Sequence, residues 1–384
     1  MTFEFATAGR IVFGPGALRQ VGPAAAQMGR RALVVCGTRK ERTQPLLDLL
    51  AENGVATTTF AVTGEPTTDL VRRGVQVASG AACDLVIGFG GGSVIDTGKA
   101  IAAMLTNPGD LFDYLEVIGR GGTISRPAAP MIAVPTTAGT GSEVTRNAVL
   151  ASPEHRVKVS MRSPLMLPRL AVVDPALTYS VPPAVTASTG LDALTQVLEP
   201  YVSSRANPLI DALVKDGMAR AARSLRRAYE HGDDAAARED MALVSLFGGL
   251  ALANAGLGAV HGFAGPLGGM FHAPHGAICA RLLPFVMEVN VRALKARDPA
   301  NPALQRYDEI GRILTGDARA RAAEGVAWVM ELCATLKVPP LSAYGMTAAD
   351  VPTLVEKGAA ASSMKANPLP LTSDEMAEIL TRAL

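Results

Sequence analysis

Asp192 and Gln196 stand four residues apart in GLDALTQVLEPYV (190–202), a segment otherwise dominated by apolar residues. That spacing is about one helical turn, so the two side chains share a face. A carboxylate among apolar neighbours is costly unless it is paired, hydrogen-bonded or bound to a metal. The five histidines are His155, His231, His261, His272 and His275, and three of them crowd into HGFAGPLGGMFHAPHG (261–276). Glycine and proline break that segment, so His261 is expected to end one helix and His275, after Pro274, to open the next. Two imidazoles and a carboxylate suit Zn(II) or Fe(II). Asp192, His261 and His275 as three protein ligands leave a coordination position open for water or substrate, which marks a catalytic site. The alternative is a pair of core histidines satisfied by backbone hydrogen bonds, and the separate Asp192 weighs against it. His155 and His272 read as surface residues or as partners outside the ligand set.

Two other stretches carry residue types suited to an anion. GFGGGSVIDTGKA (88–100) follows an apolar run and leads into a helical pattern. Gly90, Gly91 and Gly92 allow close backbone approach, and a helix starting near Ser93 turns its positive end toward a pyrophosphate. The same glycines would serve a plain tight turn, and their spacing is not that of the common G-x-G-x-x-G fingerprint. PTTAGTGSEVT (135–145) also follows an apolar run and sets five hydroxyl side chains beside two glycines. If the two preceding strands are parallel neighbours, both loops leave at the carboxyl edge, where open α/β sheets bind ligands. A nucleotide site is favoured over two unrelated turns.

The elements that hold these groups follow from apolar periodicity. RALVVCG (31–37), CDLVIGFGGGS (83–93), PMIAVPTTAGTGS (130–142) and RLAVVDPALT (169–178) read as buried strands. TQPLLDLLAENGV (43–55) reads as a helix stopped by Asn-Gly. NAVLAS and RVKVSM, within 147–161, read as a short antiparallel ribbon. Beyond SVPPAV (180–185), stretches such as 209–232 and 321–338 carry only helical periodicity. The expected architecture is an α/β N-terminal domain, 1–183, with a Rossmann-like parallel sheet, followed by an all-α domain, 184–384.

Composition bounds the function. The chain has 384 residues, 48% hydrophobic and 18% charged, with 36 Lys+Arg against 35 Asp+Glu. That length favours two cores, and the even charge argues against a nucleic-acid partner. Cys36, Cys83, Cys279 and Cys333 form no C-x-x-C pair and read as reduced thiols. Neither a signal peptide nor a membrane-spanning run is evident, so a cytoplasmic location is expected.

Taken in order, GGGSVIDTGKA, PTTAGTGSEVT, LAVVDPALT, GLDALTQVLEPYV and HGFAGPLGGMFHAPHG resemble the iron-containing (group III) alcohol dehydrogenases over essentially the whole chain. The resemblance implies a dehydroquinate synthase-like architecture with the active site in the cleft between the domains. It implies hydride transfer between NAD(P)(H) and a small alcohol, aldehyde or ketone, around Fe(II) or Zn(II). It also implies a homodimer, commonly joined through an N-terminal strand, for which RIVFG (10–14) is the candidate. Carried over by motif, Gly90, Gly91, Gly92 and Ser93 hold the pyrophosphate. Thr136, Thr137, Ser142 and Thr145 line the cofactor site, and Lys158 and Leu177 touch the nucleotide. Asp192, His261 and His275 match three metal ligands.

Three departures from the family pattern are visible. Gln196 stands where a fourth ligand, a His, is usual, and Gln is a weak oxygen ligand suited at most to poor coordination or to a bound water. The related glycerol dehydrogenases use one Asp and two His, so three ligands resemble a working site. Gly265 stands where many members carry a proton-relaying His, leaving water, the nicotinamide ribose or His272 for that role. Gly37, followed by Thr38, Arg39 and Lys40, stands where an Asp usually accepts the adenosine ribose hydroxyls. That loss removes repulsion against a 2′-phosphate and favours NADP(H) over NAD(H). Alternatives within the fold are a maleylacetate reductase, against which Asp192 counts, and a dehydroquinate-synthase-like lyase, which would need cationic side chains absent from 190–202 and 261–276. An alternative of another class is a nucleotide-binding protein that has lost catalysis.

Overall fold

The computed structural model describes residues 2–155 and 157–384. Contacts divide the chain into two units. One comprises Phe5–Thr137 with Gly141–Thr178; the other comprises Tyr179–Leu384 together with Met1–Glu4 and the three residues Ala138–Thr140.

The first unit is built on β1 (Ile11–Phe13), β2 (Arg31–Cys36), β3 (Ala56–Ala61), β4 (Leu85–Gly90), β5 (Met131–Pro135) and β8 (Leu170–Val173), all parallel, in the order β1-β8-β5-β4-β2-β3. Every residue of β4, β5 and β8 is buried, as their uninterrupted apolar sequences require of strands covered on both faces. Period-2 alternation sorts the side chains. Leu33, Val35 and Val86 join one layer with α3 (Thr68–Gly80) and α4 (Gly92–Thr106), while Ala32, Val34, Leu85 and Ile87 join the other with α1 (Val21–Met28) and α2 (Lys40–Glu52). β3, ATTTFA, alternates exposed and half-buried residues, as befits an edge strand. β6 (Asn147–Ser152) and β7 (Val157–Arg162) form the expected antiparallel ribbon; Arg156, included in that expectation, lies outside the described residues.

The second unit is helical: α5 (Pro183–Val202), α6 (Pro208–Glu230), α7 (Ala235–Ala255), α8 (Ala259–Phe271), α9 (His275–Arg297), α10 (Ala303–Thr315), α11 (Ala322–Thr335), α12 (Val351–Ala360) and α13 (Ser373–Ala383). α5 is its axis. It packs on α6, α7 and α9, and every residue from Gly190 to Val202 is buried. Any polar group on that stretch therefore needs an internal partner. Among the described residues no single helix is long and apolar enough to cross a membrane.

Candidate metal centre and nucleotide loops

Asp192, Gln196 and Glu199 fall at i, i+4 and i+7 on α5, one face of the helix, and all three are buried. His275 opens α9 behind Pro274, as its sequence context predicts. His261 does not end a helix. α7 stops at Ala255 because Gly256 takes a left-handed backbone (φ 69°), and α8 starts afresh at Ala259, so His261 sits in a first turn. Both imidazoles are thus placed at helix beginnings.

The structure brings Asp192, His261 and His275 together and adds Cys279, with one donor atom from each within 4.8 Å of the others. Asp192 Oδ1 is 3.4 Å from His261 Nε2 and 3.7 Å from His275 Nε2. Cys279 Sγ is 3.8 Å from His261 Nε2 and 3.7 Å from His275 Nε2. Asp192 Oδ1 is buried without a hydrogen-bond partner. Such an oxygen is expensive to leave unsatisfied, and a divalent cation among these four donors would satisfy it.

Glu199 supports the cluster from behind. Its Oε2 lies 2.7 Å from His261 Nδ1, and its Oε1 accepts a 2.7 Å bond from the Val260 N–H. The first interaction engages Nδ1, so that Nε2, facing Asp192, is the atom left to bind a cation, the usual carboxylate–histidine–metal arrangement. The second satisfies an orphan donor at the start of α8. Protonation equilibria describe the same demand for positive charge. Burial disfavours the His261 imidazolium, yet Cys279, Asp192 and Glu199 hold its pKa well above the ordinary value. Burial also opposes charge on His275, and Cys279 with Asp192 still raises it. For Asp192 burial pushes upward, while His275 and His261 hold it below the usual carboxylate range. A cluster that draws protons onto its imidazoles also attracts a cation.

Gln196 is engaged through its amide nitrogen alone. Its Nε2 donates to the Gly139 carbonyl (3.0 Å), while the Gly139 N–H donates to Ser245 Oγ (2.8 Å). Gln196 Oε1 is buried without a partner. His272 is the left-handed C-cap of α8 (φ 51°), exposed, and not part of the donor cluster. A Cβ at Gly265 would meet nothing within 4 Å.

In the sheet unit, β4 and β5 are neighbours, with Gly90 opposite Pro135 and the Thr136 N–H donating to the Gly90 carbonyl (2.9 Å). The glycine loop and the hydroxyl loop therefore leave the carboxyl edge side by side. β2 lies on the other flank of β4, with Cys36 opposite Phe89, which sets Gly37, Thr38 and Arg39 on the same edge, all exposed. Gly91 is the N-cap of α4, and Gly92 and Ser93 form its first turn. A Cβ on Gly90 would come within 2.6 Å of Val94 Cγ2, so the loop's tightness requires glycine there.

Lys99, one turn past the first turn of α4, is fully buried and organises the second loop. Its ammonium donates to the Ser142 carbonyl (3.0 Å), to Thr145 Oγ1 (2.9 Å) and to the Asn147 carbonyl, and pairs with Asp96 at 3.0 Å. Burial lowers its pKa, with Asp96 opposing. Asp96 also accepts from the Ser142 hydroxyl. Thr137 Oγ1 lies 3.1 Å from where a Gly91 Cβ would stand. Lys158, on β7, is ion-paired with Glu65 at 3.0 Å, and the Leu177 carbonyl accepts a 2.9 Å bond from Arg42.

Sequence reading did not single out Glu199, Cys279 or Lys99. The signal for the first two was available: Glu199 is at i+7 from Asp192, and Cys279 is at i+4 from His275.

Comparison with known proteins identifies the family. The family model described as "Iron-containing alcohol dehydrogenase" matches residues 8–175, and that described as "Fe-containing alcohol dehydrogenase family, C-terminal" matches 186–384. The chain is 37% identical to the 1,3-propanediol dehydrogenase of Klebsiella pneumoniae over 384 residues, covering 97% of this chain and 96% of that protein. It is 36% identical to alcohol dehydrogenase 4 of Saccharomyces cerevisiae over 315 residues, covering 82% and 79%. A crystal structure of a 1,3-propanediol oxidoreductase superposes with a TM-score of 0.93 at 34% identity, over 100% of both chains. The sulfoacetaldehyde reductase of Bifidobacterium kashiwanohense, solved with NAD+, gives a TM-score of 0.87 at 27% identity, over 99% of this chain and 98% of that one. With both halves matched, the chain belongs to the iron-containing alcohol dehydrogenase family and is an oxidoreductase that interconverts alcohols with aldehydes or ketones.

Proposed function

We propose that this dehydrogenase holds Fe(II) or Zn(II) on Asp192, His261 and His275 and prefers NADP(H) to NAD(H). The observation that carries the metal reading is the orphaned Asp192 Oδ1 inside a set of four donors whose two anionic members, Asp192 and Cys279, are buried. When bound, the ion supplies Lewis acidity toward the alcohol or carbonyl oxygen and the nicotinamide exchanges the hydride. The chain's own residues position these groups. Glu199 fixes the His261 tautomer, and Gln196 Oε1, without a partner, accepts from a bound water. The backbone amides from Gly90 to Ser93, at the positive end of α4, take the pyrophosphate. Thr136, Thr137, Ser142 and Thr145 contact the cofactor, with Lys99 fixing that loop. Lys158 and Leu177 complete the nucleotide contacts. The open space beside Gly265 admits water, which carries the proton toward exposed His272.

The cofactor preference rests on Gly37, Thr38 and Arg39. They are exposed at the end of β2, and a Cβ at Gly37 would meet nothing within 4 Å. A 2′-phosphate there would meet the Arg39 guanidinium, with no carboxylate at position 37 to repel it. A homodimer through β1, an edge strand of the sheet, and a domain boundary at 183/184 complete the proposal.

The test is elemental analysis beside NADPH- and NADH-linked reduction of a panel of small aldehydes, before and after chelation. Expected are one Fe or Zn per chain, activity lost on chelation and restored by metal, and a preference for NADPH. Undiminished activity in metal-free protein would overturn the metal reading. Gly37→Asp should move the preference toward NADH by about tenfold, equivalent to about 1.4 kcal/mol.

A further inference from the structure

We infer that Cys279, as a thiolate, is a fourth protein ligand of the metal centre, so that a substrate oxygen would join it as a fifth donor. The inference rests on the reading that Asp192, His261 and His275 hold a divalent ion.

Placement comes first. Cys279 lies one turn after His275 on α9, so both side chains leave the same helical face, and Cys279 is completely buried. Its sulfur faces the Nε2 atoms of both histidines, the atoms turned toward Asp192 Oδ1. The dimensions agree with a shared ion. A tetrahedral centre with bonds of about 2.0–2.1 Å to N and O and about 2.3 Å to S spans about 3.4 Å between N and O donors and about 3.6 Å between S and N. The observed separations are 3.4 and 3.7 Å between the imidazole nitrogens and Asp192 Oδ1, and 3.7 and 3.8 Å between sulfur and the imidazole nitrogens. Two helix starts and α5 have thus preset the donors at nearly the spacing an ion imposes.

Gln196 supplies the complementary observation. Its amide N–H is committed to the Gly139 carbonyl, a tether within the helical unit that a ligand's role would not require. The carboxylate of Asp192 and the thiolate of Cys279 together balance a divalent charge, whereas three ligands with Gln196 would leave it half-balanced. A soft sulfur donor shifts metal preference from Fe(II) toward Zn(II).

Cobalt(II) titration of metal-free protein tests the assignment, because thiolate bound to Co(II) gives a strong near-ultraviolet charge-transfer band that oxygen and nitrogen donors lack. We expect one Co(II) per chain and that band in the unmodified protein. In Cys279→Ser the band should vanish, with affinity lowered by at least the tenfold that loss of an outer partner costs. Gln196→Ala should keep both band and affinity. A Co(II) site without the band, a band that survives Cys279→Ser, or an affinity that falls in Gln196→Ala and not in Cys279→Ser would each overturn the thiolate assignment and leave the three-ligand site standing. Failure of the unmodified protein to bind stoichiometric Co(II) would overturn both readings.

Discussion

The two halves of this enzyme are made of different materials. The candidate metal site in the helical unit is assembled from side chains: a carboxylate on α5, an imidazole on α8, and an imidazole and thiol on α9. The candidate nucleotide loops in the sheet unit are assembled largely from backbone: glycines that bring N–H groups close, a helix end, and a hydroxyl-rich loop whose Ser142 and Asn147 carbonyls are held by one buried lysine. A site of side chains is defined by residue type, whereas a site of backbone is defined by what must be missing. Asp192 matters for its carboxylate, and Gly90 for the Cβ it lacks.

That contrast can be broken by mutation. Asp192→Ala should have the largest effect, removing the metal and at least about a thousandfold of activity as several kcal/mol of charge stabilisation disappear. NADPH binding, followed by fluorescence, should persist; its loss would mean that the two sites are not built independently. Glu199→Gln should lower metal affinity by about 10- to 100-fold without changing metal stoichiometry, read by competition with a chelator. Gly90→Ala should do the reverse. The intruding methyl should cost about 1–3 kcal/mol of stability and weaken NADPH binding, while metal content stays at the unmodified level.

The smallest effect sharpens the comparison inside the sheet unit. Burial raises the pKa of Glu143, beside Lys99 in the hydroxyl loop, from 4.5 to about 7, its own backbone N–H and Lys99 opposing only in part. The folded protein therefore binds a proton that the unfolded chain has released between those pH values, and stability falls as pH rises through that window. The penalty is complete above pH 7 and reaches roughly 3 kcal/mol at most. Glu143→Gln should raise Tm more at pH 8 than at pH 5. Equal shifts at both pH values would remove the ionisation as the cause.

Much of this was legible in the amino-acid sequence, for physical reasons that also mark its limits. β2, β4, β5 and β8 announce themselves because strands covered on both faces tolerate few polar residues. β3 does not, because an edge strand such as ATTTFA only half-buries Thr58 and Phe60 and exposes the rest. Asp192, His261 and His275 stand out as polar groups in apolar segments. Cys279 is concealed by its own hydrophobicity: a buried cysteine looks like any small core residue until the fold shows two imidazole nitrogens beside it. Lys99 is concealed for the opposite reason, since lysine reads as surface and its burial is explained only by the Asp96 carboxylate, Thr145 Oγ1 and the Ser142 and Asn147 carbonyls that the fold gathers around it. The helix break before His261 depended on a left-handed Gly256, which the sequence LANAGLGAV allows without requiring.

Gly139 also constrains how the chain is made. Its peptide is held on one side by Ser245 and on the other by Gln196, residues that follow it by 106 and 57 positions. During synthesis, the strands that flank this loop leave the ribosome well before the side chains that pin it. The hydroxyl loop can thus take its final shape only after α5 and α7 have been translated, and a fragment ending at Thr178 would carry every strand of the sheet yet lack both anchors of that loop. Completion of the loop that carries Gly139 is therefore an event of late translation, although the strands on either side of it come first.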